Sequence, residues 1–455
     1  MKPNILFLLI DTFRADKFSG PEKTSKTPNI DSLIKNGTYF DQTVSCSDGT
    51  ILSWAGLFTG LHPFKTGMMS PGYKKIDPNV TSYFSILKKQ GYNFYSYIPS
   101  LTDSLGIFPE WQNDDYPFDY YWNLSEGLGK KIINLLESKN MNQPWFYYIH
   151  IEDLHFPITL TKDFDDEKFG TSKYERKVSA MDDWIGKILE KIDLENTLVV
   201  ITADHGAYIK AVNNENLKIN LEVNGELQTH VRNIGNLIPK QLQPFKSKLF
   251  LSLEKIRKQK KYSKIQDLQL TPYEKRALLW QRSDVEHFLF DELVRVPLLF
   301  YGYNTDKNIK ISQQVRIIDI FPTLLDVIGL KEFDQCVDGQ SLMPLVKGNV
   351  IPEEPAYLET HYSIDLKSLD KIGIRTSEFK FFRDKNDSTK LIHLYDLKND
   401  PHENNNIAKI KPEIVNQMEK ILQNILQNST TTPDDEFDEE ETKIIENELK
   451  KLGYV

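Results

Sequence analysis

Residues 45–60 read Ser45-Cys-Ser-Asp-Gly-Thr-Ile-Leu-Ser-Trp-Ala-Gly-Leu-Phe-Thr-Gly60. They follow a strand-like run over 37–44 and open into a helix-forming run over 52–58. The hydroxyl of Thr50 is thereby expected at the mouth of a helix. Unpaired N–H groups and the positive end of the helix dipole favour an anionic oxygen or a tetrahedral anion there. Two further stretches are built to meet it. Asn4-Ile-Leu-Phe-Leu-Leu-Ile-Asp11 is an apolar strand that ends in a carboxylate, and Thr197-Leu-Val-Val-Ile-Thr-Ala-Asp-His-Gly206 is an apolar strand that ends in Asp204 and His205. Open α/β sheets bind ligands at the carboxyl ends of their strands. Two carboxylates, an imidazole and a hydroxyl gathered there suggest a divalent metal site that activates Thr50 as a nucleophile.

Outward from these stretches, the chain alternates helix and strand. Residues 27–37 form a short helix with Pro28 near its start and Gly37 at its end. Helices over 82–90, 128–138 and 174–192 and strands over 92–98, 145–151, 198–202 and 295–301 follow, then strand, turn and helix over 315–329. This rhythm predicts an α/β fold with a mainly parallel central sheet and helices on both faces. Residues 207–286 interrupt it and read as an inserted, mostly helical lid. Within it, residues 240–264 carry nine basic side chains against one acid, Glu254. The plain reading is a solvated helix face; the sharper one is contact with an anionic substrate or surface. From about Pro352 the pattern becomes four short strands (356–359, 371–376, 379–383, 391–394) and a helix over 412–426. These predict a small antiparallel sheet packed with a helix. The domains expected are therefore a catalytic unit over 1–350, a C-terminal α+β subdomain over 351–427, and an acidic tail over 428–455.

The whole-chain properties exclude several classes. A formal charge of −9 gives no reason to expect nucleic acid. No run approaches the 18 apolar residues of a membrane span, and the start of the chain leads straight into the first strand rather than a leader. The two cysteines, Cys46 and Cys336, make no disulfide framework. The expected compartment is the cytoplasm. Asp followed by His at a strand end suits Zn²⁺, Mn²⁺ and similar ions. His155, in a turn before Pro157, is a candidate general acid for the leaving group. Thr12, Asp153 and His287 are the weaker candidates for substrate contacts, and His361 and Lys65 are weaker still.

In chain order, the segments "PNILFLLIDTFRAD", "TPNIDSLIKNGTYFDQ", "LFTGLHPFKTG", "YIHIEDLHFP", "ITADHG", "FDELVRVPLLF", "VRIIDIFPTLLDVIGL", "DGQSLMPL", "GIRTSEFKFF" and "LYDLKNDPHENNNIA" resemble the sulfatase family of the alkaline phosphatase superfamily, over roughly residues 3–426. The resemblance implies Asp11, Asp204 and His205 as metal ligands, Thr50 as nucleophile and fourth ligand, and His155 as the histidine that protonates the leaving group. The pattern departs in places. Sulfatases proper carry Cys or Ser followed by x-Pro-Ser-Arg, and that residue matures to formylglycine; here the string is Thr50-Ile-Leu-Ser-Trp54. The second N-terminal Asp of many sulfatases is Thr12. A Thr nucleophile instead resembles the phosphodiesterase, phosphonate-hydrolase-like and phosphoglycerol-transferase branches.

The resulting expectation is a hydrolase for a sulfuric or phosphoric mono- or diester. It would use one divalent ion (Mn²⁺, Zn²⁺, Ca²⁺ or Mg²⁺), a second being left open, on a small-molecule, saccharide-linked or lipid-linked ester. The alternatives are a phosphoglycerol- or phosphoethanolamine-type transferase and a non-catalytic binding module that keeps the fold.

Overall fold

The computed structural model describes residues 2–68, 76–99, 111–112, 123–214, 217–222, 259–280, 289–306, 308–330, 337–361 and 370–427. His287, Cys336, the acidic tail, and most of the 101–125 loop and of the basic run at 240–264 lie outside the described residues.

The centre is a sheet of eight strands. In chain order they are β1 (Asn4–Ile10), β2 (Thr38–Val44), β3 (Asn93–Tyr97), β4 (Trp145–Ile151), β5 (Thr197–Thr202), β8 (Arg295–Gly302), β9 (Ile309–Ile311) and β10 (Val315–Arg316). Two short strands, β6 (Ala211–Asn214) and β7 (Leu217–Asn220), intervene as a separate hairpin. The main path runs β10-β2-β8-β5-β1-β4-β3, with β9 alongside β2. All its pairings are parallel except those of β8, which runs antiparallel to β2 and β5. The mainly parallel sheet expected from the sequence is thus present.

The strand β1 shows why its sequence is apolar throughout. Ile5, Phe7 and Leu9 pack on one face, Leu6, Leu8 and Ile10 on the other, and all six are fully buried. A strand covered on both faces has no polar side to keep. Each such side chain contributes roughly 1.5–3 kcal/mol of burial. One face is covered by α1 (Pro28–Asn36), α4 (Leu128–Ser138) and α5 (Lys173–Leu189). The other is covered by α2 (Thr50–Thr59), α3 (Tyr83–Lys89) and α7 (Ile320–Val327). The ten residues of α2 are all buried, which suits a helix that is apolar all round.

Between β7 and β8, helix α6 (Pro272–Leu279) carries a capping box from Thr271 and Glu274. The C-terminal sheet is four antiparallel strands in the order β11 (Ala356–Glu359), β12 (Lys371–Arg375), β13 (Phe379–Asp384), β14 (His393–Asp396). Helix α8 (Pro412–Gln427) packs Met418 and Leu422 against Ile374 and Phe381. An isolated parallel bridge joins Ser47 to Glu359, and the Glu359 N–H donates to the Cys46 carbonyl at 2.9 Å. The small sheet is therefore stitched to the loop that leads into Thr50.

His393 gives the small sheet an acid-sensitive point. Its ring stacks on Phe382 at 4.6 Å, and burial, with Lys371 nearby, lowers its pKa to about 4. The folded state thus binds the proton less readily than the unfolded chain, where histidine titrates near its ordinary value of 6.5. Stability from this group is complete above that value and is lost as pH falls towards 4. His393→Gln is expected to remove roughly 1–3 kcal/mol of the stability lost between pH 7 and pH 4, as measured by urea unfolding at both pH values.

Candidate active site

The carboxyl ends of β1 and β5 bring the two apolar-strand motifs together. Asp11 follows β1 directly, its N–H donating to the Ile151 carbonyl at 2.9 Å, and Asp204 and His205 follow β5. Their ligating atoms all lie within 4.8 Å of one another, and all three residues are buried. His205 Nε2 is 3.7 Å from Asp11 Oδ1 and 3.7 Å from Asp204 Oδ2. His205 Nδ1 is 2.8 Å from the Gly206 carbonyl. That partner holds the proton on Nδ1 and turns the Nε2 lone pair inward, the arrangement metal-binding histidines use.

Gly206 is required at this turn. Its N–H donates to the Leu293 carbonyl at 2.7 Å, and a Cβ would lie 2.1 Å from the Glu292 carbonyl oxygen. Asp204 Oδ1 accepts from the N–H groups of Thr12 at 3.3 Å and His205 at 2.8 Å. Thr12 sits at φ 60°, a left-handed conformation that costs a β-branched residue on the order of 1–3 kcal/mol. Its carbonyl is held by the Tyr174 hydroxyl of α5 at 2.7 Å, which in turn accepts from the Arg14 N–H at 3.1 Å.

The electrostatics follow from burial and proximity. Burial would raise the Asp11 carboxyl, but its hydrogen bond to His150 and the nearby His155 and His205 imidazoles outweigh it and hold it well below the usual range. Asp204 goes the other way, raised by burial and by Asp11. Burial disfavours a charged His205, yet the Asp204 and Asp11 carboxylates raise its pKa. Two buried carboxylates facing one imidazole, with Asp204 Oδ2 lacking a hydrogen bond, form an oxygen- and nitrogen-donor set that fits a divalent cation.

Thr50 completes the arrangement. It is the first residue of α2, it is buried, and its Oγ1 is 3.3 Å from His205 Nε2. The N-cap residue brings no side chain to the first N–H groups of that helix, which open beside the hydroxyl. The N-cap is Gly49, where a Cβ would lie 2.6 Å from the Cβ of His361. Behind the loop, the Ser45 hydroxyl donates to the Asp204 carbonyl at 2.5 Å and meets Ser53 Oγ at 2.9 Å. These contacts tie the Thr50 loop to the β5 motif.

His155 lies in the turn after β4, its N–H donating to the Glu152 carbonyl at 3.0 Å, with its ring near enough to Asp11 to lower that carboxyl. Asp153 is drawn elsewhere. Its carboxylate receives Lys177 Nζ at 3.1 Å and the Leu124 N–H at 2.9 Å, so it anchors the loop to α5 instead of facing a substrate. Lys65 is likewise taken, by Asp338 at 2.6 Å.

Sequence reading missed three residues here. His150 Nε2 is 3.5 Å from Asp11 Oδ2, and its ring meets Trp54 edge-to-face at 5.2 Å. A histidine among the aromatics of β4 carries no local signal; only the parallel pairing of Leu9 with His150 brings it beside Asp11. Asp48 receives the His361 N–H at 2.8 Å and lies 3.2 Å from its Nδ1, which brings His361 to the Thr50 loop across 313 residues of chain. Glu152, buried at the end of β4, was passed over as well.

A family model described as Sulfatase matches residues 3–330. The chain belongs to the sulfatase family. It is thereby a sulfatase-like ester hydrolase, and a second model, for the C-terminal part of N-sulphoglucosamine sulphohydrolase, matches residues 284–430. Arylsulfatase K of Bos taurus is 22% identical over 468 residues, covering 93% of this chain and 82% of the relative. Arylsulfatase K of Mus musculus is also 22% identical, over 459 residues, covering 93% and 79%. Among solved structures, the phosphonate monoester hydrolase of Agrobacterium radiobacter superposes with a TM-score of 0.64 at 16% identity, covering 94% of this chain and 96% of that one. A protein solved in complex with its substrate D-glucosamine-2-N,6-O-disulfate superposes with a TM-score of 0.62 at 17% identity, covering 94% and 99%. At these identities the structural likenesses establish the shared fold.

Proposed function

We propose that this sulfatase-family hydrolase cleaves a sulfuric or phosphoric ester through Thr50, with one divalent cation held by Asp11, Asp204 and His205 beside the Thr50 hydroxyl. The observation that carries the reading is the position of Thr50 Oγ1. It lies 3.3 Å from His205 Nε2, at a helix N-terminus whose N-cap is a glycine and beside two buried carboxylates. When bound, the cation would supply positive charge that eases loss of the Thr50 proton and takes up charge on the ester's non-bridging oxygens.

The chain's own residues do the rest. The first N–H groups of α2 bind the anionic group and hold it in line with Thr50 Oγ1. The Thr50 proton passes to solvent and a bond forms from Oγ1 to sulfur or phosphorus as the bond to the ester oxygen breaks. His155 gives that leaving oxygen its proton, and water then cleaves the Thr50 ester.

The arylsulfatase K relatives support a sulfuric ester, and the likeness to a phosphonate monoester hydrolase supports a phosphorus centre. The disulfated glucosamine bound by one structural neighbour supports a saccharide-linked ester. A Thr that cannot mature to formylglycine, with Trp54 where sulfatases proper carry Arg, favours the phosphorus branch.

Turnover of matched aryl sulfate, aryl phosphate and bis-aryl phosphate with Mn²⁺, Zn²⁺, Mg²⁺ or Ca²⁺ tests the reading. The ester whose hydrolysis disappears in Thr50→Ala identifies the acyl group. If no combination shows dependence on Thr50, the nucleophile assignment is wrong. His155→Ala is expected to lower kcat/KM about a hundred-fold for an alkyl ester and less than about ten-fold for a 4-nitrophenyl ester, because a good leaving group needs no proton. Equal losses on both would remove His155 from that role.

A further inference from the structure

Glu152 is the one carboxyl of this neighbourhood that the reading above leaves without work. It follows β4 as Asp11 follows β1. The register Ile10 to Ile151, extended by the Asp11 N–H donating to the Ile151 carbonyl at 2.9 Å, sets the two residues side by side at the carboxyl ends of neighbouring strands. Side chains alternate along a strand, so Glu152 falls on the face of His150, whose ring contacts Asp11. The tight turn in which the His155 N–H donates to the Glu152 carbonyl at 3.0 Å carries the chain on to the leaving-group histidine.

The residue is 7% exposed. Its carboxyl makes no hydrogen bond or ion pair among the described residues, whereas every comparable buried acid nearby has a partner. Asp153 has Lys177, Glu175 has the Thr24 N–H, Glu292 has Arg276 and Asp182 has the Ile30 N–H. A largely buried carboxyl with no partner in the chain, placed at a reaction centre, is open to bond something that is not part of the chain. Thr12 Oγ1, just beyond the adjoining strand β1, is buried without a partner.

We infer that Glu152 is a specificity-determining residue that hydrogen-bonds a hydroxyl on the leaving group, next to the ester oxygen that His155 protonates. The chemical class it selects is an ester of a polyhydroxylated alcohol, with a free hydroxyl neighbouring the esterified one. This inference rests on the Thr50 centre being the place of reaction.

The test uses two probes of the acyl type that Thr50 turns over, the monoester of phenol and the monoester of catechol. The second differs only by a neighbouring hydroxyl. Glu152→Leu and Glu152→Gln are assayed on both, and their melting temperatures are compared with wild type. In Glu152→Leu, kcat/KM for the catechol ester is expected to fall at least about ten-fold further than for the phenol ester, because a group built to bond a hydroxyl discriminates against its absence. The melting temperature is expected to rise, because an unpaired buried carboxyl has been removed. Glu152→Gln, which still bonds a hydroxyl, is expected to keep part of the preference.

Equal losses on both probes, or a lower melting temperature with no change in the ratio, would overturn the inference and make Glu152 a structural group. A turnover that survives Thr50→Ala would instead fail the underlying site assignment, so the two failures are distinguishable.

Discussion

Thr50→Ala is expected to lower kcat by about a thousand-fold or more on any ester the protein hydrolyses, while KM changes little. The asymmetry follows from where the hydroxyl sits. Thr50 opens a helix whose residues are all buried, so the Ala variant keeps the backbone and apolar packing of α2 and loses only Oγ1 and one methyl group. In the proposed reaction the anion is bound by the helix N–H groups and by a cation on Asp11, Asp204 and His205, all of which the substitution leaves in place. Thr50→Ser keeps a hydroxyl at the same point, primary instead of secondary, and is expected to retain activity within about ten-fold of wild type. Quenched-flow kinetics with mass spectrometry of the intact protein checks the step itself. Wild type should accumulate an adduct of one sulfuryl or phosphoryl group when water is slow to cleave it, and Thr50→Ala should never carry one. An Ala variant with substantial kcat would reject Thr50 as nucleophile, whatever the fold.

Much of this site was legible in the sequence because its parts lie at the ends of strongly apolar strands. Asp11, Asp204 and His205 each terminate a strand buried on both faces, and such strands are recognisable from composition alone. Leu128–Ser138 and Trp145–Ile151 fall within the boundaries that periodicity predicts. What pattern cannot supply is strand order. His150 reads as one more residue in an aromatic strand until parallel pairing sets it against Asp11. The Asp48–His361 contact needs the small C-terminal sheet docked on the Thr50 loop by the Ser47–Glu359 bridge. Asp153 misleads in the opposite direction. Two positions from His155 it looks like an active-site acid, and only the placement of α5, which delivers Lys177, shows that its charge is already matched. The β6–β7 hairpin was hidden for another reason: Ala211-Val-Asn-Asn and Leu217-Lys-Ile-Asn are too short and polar to announce themselves as strands.

Metal dependence is the second large effect. Chelation is expected to abolish turnover, and readdition of the native cation to restore it. The structural readout is independent of activity. A ligand that binds only the folded chain stabilises it by RT ln(1 + [L]/Kd), about 2.7 kcal/mol at a hundred times Kd, so the right ion should raise the melting temperature of the stripped protein. Asp204→Asn should remove that rise. The carboxylate is fully buried, and its Oδ1 is committed to the Thr12 and His205 N–H groups. Its Oδ2, which has no hydrogen bond, is the atom left for an ion. The variant itself should not be less stable in the absence of ion. Two buried acids, Asp11 and Asp204, face each other across the cluster, and making one neutral relieves their repulsion. The expected signature is therefore a stripped variant at least as stable as stripped wild type that no longer responds to any divalent cation. If Asp204→Asn still shows the full shift, the ion binds elsewhere and the cluster of Asp11, Asp204 and His205 is not its site.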